Sequence, residues 1–189
     1  MKSWLVFISC SILLWTSCKE DQVTSRPRAY PRIEFPARGL SEYTATDCPF
    51  TFKYPSYGEI QNKEKACWFD IFMPAFNARL HCTYVPVTDE AKYEDLVSDA
   101  FLIATKINER ANYMEEMHIT NAQGVGGLRL TWTGPAASPI HFFLTDTTTH
   151  FFKAALYFDS KVQPDSLAPI ASFIRQDMDT LISSFAWKK

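Results

Sequence analysis

Apolar positions along this chain change their spacing several times, and each change marks a different structural element. Between Cys48 and Val87 three short runs, Phe50 to Tyr54, Trp68 to Met73 and Arg79 to Val85, are separated by Pro55, Gly58, Asn62, Pro74 and Asn77. Apolar and aromatic runs bounded by turn formers read as β-strands. The third run alternates Leu80, Cys82 and Tyr84 with Arg79, His81 and Thr83, a period of two that belongs to a strand with one buried face. From Asp89 the period lengthens: Tyr93, Leu96, Val97, Ala100, Phe101, Ile103, Ala104 and Ile107 recur at helical spacing. Thr88 stands at the N-cap position with acidic residues in the first turn, so a helix with one core-facing side is expected here.

Strand patterns then return over Tyr113 to Thr120, Val125 to Thr133, Ile140 to Thr145 and His150 to Phe158. Their short polar connections favour antiparallel neighbours in a meander. A last segment begins near Asp165 and Ser166 and places Ile170, Phe173, Ile174, Met178, Leu181, Ile182 and Phe185 on one helical stripe. Strands grouped into an antiparallel sheet, with one helix inserted and another closing the chain, predict an α+β fold in which helices sandwich the sheet.

The first residues follow another logic. Lys2 precedes an apolar run from Trp4 to Trp15, followed by Thr16, Ser17 and Cys18 and then by Lys19, Glu20 and Asp21. A positive start and an apolar core of about a dozen residues describe a secretory signal, since a membrane-spanning helix needs roughly twenty apolar residues. A cysteine at the junction is what a lipoprotein signal requires, because its thiol takes up lipid before cleavage. Residues 1–17 are therefore expected to be a lipoprotein signal peptide, and Cys18 the lipidated residue. Residues 18–47 are polar and carry Pro27, Pro31 and Pro36, a composition that favours an extended tether, whose aromatic second half is expected to lie along the domain. Residues 48–189 would form the single α+β domain.

A formal net charge of −2, without a Lys/Arg stripe or a basic amphipathic helix, argues against nucleic acid as a partner. Of the five cysteines, Cys10 leaves with the signal and Cys18 carries lipid, so Cys48, Cys67 and Cys82 remain for an oxidising compartment. A hairpin could bring Cys48 to Cys67, but spacing alone does not settle whether they bond. Cys82 sits mid-strand and reads as a small buried hydrophobe.

Catalytic chemistry finds little support. The histidines at 81, 118, 141 and 150 have no metal-binding spacing, so neither metal nor cofactor is expected. Ser138, His141 and Asp146 are close in sequence, and a cryptic hydrolase or ligand site built on them is the alternative reading. Yet Ser138 and His141 have opposite parity in a regular strand, and no GlyxSerxGly elbow surrounds the serine. Gly124, Gly126 and Gly127 precede a strand rather than a helix, so they read as a turn or bulge, not a nucleotide loop. The polar turn at Asp146 and Thr147, with Ser138 and His150, is instead a candidate partner-binding surface.

Several ordered stretches resemble one family. CysProPheThrPheLysTyrProSerTyr at 48–57, CysTrp at 67–68, LeuThrAspThrThrThrHisPhe at 144–151, AlaLeuTyrPhe at 155–158 and ProAspSerLeuAlaPro at 164–169 are similar to the gliding motility lipoprotein GldD family of Bacteroidota. Pro135 departs from the asparagine usual there. The resemblance implies a palmitate-bearing envelope lipoprotein, held in the outer membrane facing the periplasm. It also implies no enzymatic activity and envelope partners in the gliding and type IX secretion machinery. More loosely, the order of strands and helices is similar to the PsbP/Mog1-like sandwich, a fold that does not by itself settle function.

Overall fold

In the computed structural model, residues 32–159 and 164–188 are described; Cys18 and the signal segment lie outside them. Ile33–Lys189 forms one compact unit. Its largest element is a seven-stranded antiparallel sheet in the order β3-β4-β5-β9-β8-β7-β6. The strands are β3 (Glu59–Asn62), β4 (Phe69–Met73), β5 (Ala78–Pro86), β6 (Tyr113–Thr120), β7 (Gly126–Thr133), β8 (Ile140–Thr145) and β9 (His150–Phe158). A smaller sheet pairs β1 (Leu40–Tyr43) and β10 (Ala186–Trp187) with the two edges of β2 (Phe50–Pro55). The expected meander is present, with β6 to β9 adjacent in order. In β7 the backbone of Gly127 lies so close to the Phe143 carbonyl that a Cβ would sit 2.1 Å away, which is why a glycine stands second in that strand.

Two helices cover opposite faces of the large sheet. Helix α1 (Glu90–Ile107) joins central β5 to the far edge strand β6. Asp89, not Thr88, is its N-cap: the Asp89 carboxylate accepts from the Lys92 amide, and Thr88 donates its hydroxyl to Asp89. A carboxylate accepts two such bonds and also complements the helix N-terminus, so it outcompetes the hydroxyl beside it. Leu96 and Ala104 of α1 are buried with Leu128, Leu130, Trp132, Phe143 and Phe151 of the sheet. Ile103 belongs to the expected stripe but is 44% exposed.

The opposite face holds the larger core. Helix α2 (Pro164–Ser184) buries Ile174, Met178, Leu181 and Ile182 against Phe69, Leu80, Phe142, Leu144 and Phe152 of the sheet, with Phe50 and Phe52 of β2 between them. Aromatic rings supply much of this apolar area; Phe50 and Phe152 meet edge to face with centroids 5.1 Å apart, a favoured geometry. Cys48 and Cys67 are disulfide-bonded with Cα atoms 5.5 Å apart, joining the start of β2 to the start of β4, while Cys82 is free and buried.

The folded unit starts earlier than residue 48. Phe35 stacks on Phe173 with centroids 4.6 Å apart, Arg38 donates to the Asp177 carboxylate at 2.9 Å, and β1 pairs along β2. Tyr57 also donates to Asp177, which is buried. Residues 33–47 thus belong to the domain, because Pro36 limits their conformations without preventing aromatic and strand contacts. With both cores and the disulfide inside it, the unit has what an independently folding domain requires.

Candidate functional site

Ser138, His141 and Asp146 do not converge. Ser138 is fully buried; its hydroxyl donates to the Leu156 carbonyl at 2.6 Å and its amide to the Asn108 side chain at 3.0 Å. It staples the loop before β8 to β9 and cannot belong to a partner-binding surface. Asp146 accepts the amides of Thr148, Thr149 and His150 through one oxygen. Burial alone would raise its carboxyl, but these three donors outweigh it and hold the pKa below the ordinary value. His150 is also engaged internally, bonded to the Tyr84 hydroxyl at 2.8 Å and stacked on Trp187. What the β8–β9 turn exposes is Thr147 to Thr149. Thr147 has φ +68°, a left-handed conformation that costs a β-branched residue on the order of 1–2 kcal/mol.

The free edge of the large sheet offers a different surface. β6 is eight residues long, and every position except Ile119 is exposed. It pairs with β7 on one side only, so a row of amides and carbonyls faces outward. Tyr113 is 65% and Met117 44% exposed along this edge. Protective devices are sparse: β6 contains no proline and its acidic residues are Glu115 and Glu116. The opposite edge strand, β3, has four residues.

On the α1 side, the sheet carries two polar groupings. At the β4–β5 end, Asp70 is buried and bonded through one oxygen to His81 Nδ1 at 2.6 Å. Its other oxygen makes no aligned hydrogen bond, but the Lys63 ammonium lies 2.5 Å away and supplies its counter-charge. Burial pushes the Asp70 carboxyl up; the Lys63 ammonium and the hydrogen-bonded His81 more than reverse it, leaving the pKa below the usual carboxylate value. Beside this pair, under α1, lies a cavity of about 310 Å³ lined in part by Thr83, His141 and Lys153. His141 is 9% exposed and its Nε2 has no hydrogen-bond partner, as is also true of Thr83 Oγ1. Desolvation lowers the His141 pKa to about 4; the Lys153 charge adds to this and a weak contact with the Ser138 backbone opposes it. His141 is therefore a neutral imidazole at neutral pH. Among the described residues no His/Cys/Asp/Glu group is arranged to hold a metal ion.

A secretory pattern ending at Cys18, ahead of an α+β domain with a long open sheet edge, is the plan of a membrane-anchored lipoprotein of the cell envelope. Residues 20–187 match the family model described as gliding motility lipoprotein GldD. The chain belongs to that family and is a gliding motility lipoprotein. No curated protein sequence matches it. Among solved structures it is similar to cyanobacterial PsbP (CyanoP) from Synechocystis sp. PCC 6803, with 13% identity and a TM-score of 0.46 over 80% of this chain and 94% of that one. It is also similar to the Saccharomyces cerevisiae Ran-binding protein Mog1p, with 9% identity and a TM-score of 0.46 over 80% of this chain and 96% of that one.

Proposed function

We propose that this lipoprotein is a non-catalytic assembly factor that binds another envelope protein by accepting a strand along β6. Lipid on Cys18, palmitate included, holds the domain at the outer membrane facing the periplasm, and the tether lets it reach its partner. That partner belongs to the machinery that drives gliding and supports type IX secretion. The observation that carries this reading is the unpaired edge of β6, eight residues long with Tyr113 and Met117 exposed. An added strand would satisfy the outward backbone groups and cover these side chains, which is how extended segments bind open sheets. Nothing in the reading requires a reacting group, and the dispersal of Ser138, His141 and Asp146 leaves no hydrolytic set among those three.

The test is a Tyr113→Lys, Met117→Glu double variant produced in gliding cells. Charges on an edge strand oppose strand addition, and Glu at position 117 faces Arg129 of β7, an opposite-charge pair that keeps the β6–β7 pairing in place. The variant should remain folded and membrane-held, yet lose gliding and the co-purification of envelope proteins. Full motility with an unchanged set of co-purified proteins would refute the β6 assignment.

A further inference from the structure

The cavity under α1 is built rather than accidental. Across β5, β9 and β8, His81, Ala155 and His141 form one cross-strand row, and Thr83, Lys153 and Phe143 form the next. Ala155, between two histidines, and Ala100 on α1 are both small, so helix and sheet do not close on each other there. Apart from Tyr157 the remaining wall is apolar, with Leu128 and Leu130 as its floor and the 44%-exposed Ile103 lining it from the helix. At about 310 Å³ the space lies at the small end of ligand pockets, which run from roughly 300 to 1,000 Å³.

Its polar atoms are unspent. Buried polar groups are nearly always hydrogen-bonded, and an exception needs a reason. Here His141 Nε2 and Thr83 Oγ1, both buried and without partners, belong to side chains that line the same cavity. Lys153 lines it too and has no carboxylate within ion-pair distance among the described residues. Asp70, the nearby buried acid, is already engaged by Lys63 and His81. An apolar chamber with one uncompensated cation and two idle hydrogen-bonding atoms matches a molecule with an apolar body and an anionic oxygen head.

We propose that this cavity is a binding site for a small straight-chain monocarboxylate, with its carboxylate on Lys153 and Thr83 beside His141 and its chain between Leu128, Leu130 and Ile103. A single carboxylate suits one ammonium that has no ion-pair partner among the described residues. The site shares no residue with the β6 edge, so either can fail without the other.

The experiment uses residues 19–189, which contain the whole compact unit, titrated calorimetrically with carboxylates from butanoate to dodecanoate and with primary alcohols of matched length. Carboxylate affinity should rise about fourfold per methylene, the worth of one buried CH₂, and stop rising when the cavity is full. Each alcohol should bind about tenfold or more weakly, as expected for loss of a charged hydrogen bond. Lys153→Gln should bring the carboxylates to the level of the alcohols. Ala155→Leu, or Ala100→Leu from the helix side should the first not fold, should abolish binding, and ligand should shift the His141 imidazole nitrogen resonances. Absence of binding at every chain length would leave the cavity to water and overturn the proposal. Binding that survives a folded cavity-filling variant would place the ligand elsewhere, and equal affinity for alcohols and carboxylates would remove Lys153; either result overturns it as well.

Discussion

Acid should destabilise this domain in a window set by one histidine. His141 is 9% exposed, and its pKa is lowered to about 4 in the folded state, chiefly by desolvation. In the unfolded chain it takes the ordinary value near 6.5. Above that value both states hold a neutral ring and nothing is lost. Between pH 6.5 and 4 the unfolded state binds a proton that the folded state refuses, so stability falls as pH falls. At about 1.36 kcal/mol per pKa unit, the loss amounts to roughly 2 kcal/mol by pH 5 and about 3 kcal/mol by pH 4. The Asp70 carboxyl, with its pKa held below the ordinary carboxylate value, gives up its stabilisation only as pH falls through that lower range. The two effects therefore occupy different windows. The assay is urea or thermal unfolding of wild type and His141→Gln from pH 8 to pH 5. Wild type should lose about 2 kcal/mol more than the variant over that range, or on the order of 4–8 °C in Tm for a domain of this size. Parallel loss in the two proteins would show that His141 is not held neutral in the folded state.

Other consequences are direct. Replacing Cys48 and Cys67 with serine opens a crosslink spanning 19 residues and should cost about 3 kcal/mol by the loop-entropy estimate, read from the urea midpoint. Ser138→Ala removes a buried bond to the Leu156 carbonyl and should cost roughly 1–3 kcal/mol of stability. Its effect on motility should be no greater than this instability explains, whereas a folded variant that cannot glide would return Ser138 to the functional site. Cys18→Ala should release the protein from membrane fractions and abolish gliding; full gliding by the released form would remove the anchor from the explanation.

Elements with a local signature were legible in the sequence. β6, β8 and β9 stand where the strand-like runs placed them, and the α2 stripe from Ile170 to Phe185 meets the core as its spacing required. Those segments were readable because strand-forming runs are bounded by turns that use Asn, Gly, Pro and Asp, and because the helix buries one stripe. β1, β3 and β10 were not legible. Glu59–Asn62 is a short polar edge strand that resembles a turn, and Ala186–Trp187 is ordered by distant Phe50 and Thr51 rather than by its neighbours. The candidate sites divide in the same way. Asp146 was readable as a turn residue, but Ser138 looked like a loop hydroxyl because the carbonyl that captures it lies on β9, 18 residues away. The cavity was least legible of all. It depends on Ala155, Ala100 and His141 facing one another across three elements, and no local pattern shows that two alanines leave a histidine nitrogen unpaired.

Strand addition at β6 is the central claim, and site-specific photo-crosslinking in gliding cells tests it most directly. A crosslinking residue at Met117 on the open edge should yield a discrete adduct with one envelope protein, whereas one at Glu59 on the opposite edge should not. Adducts from Glu59 alone, or an unmodified protein at Met117 in cells that glide normally, would contradict the account.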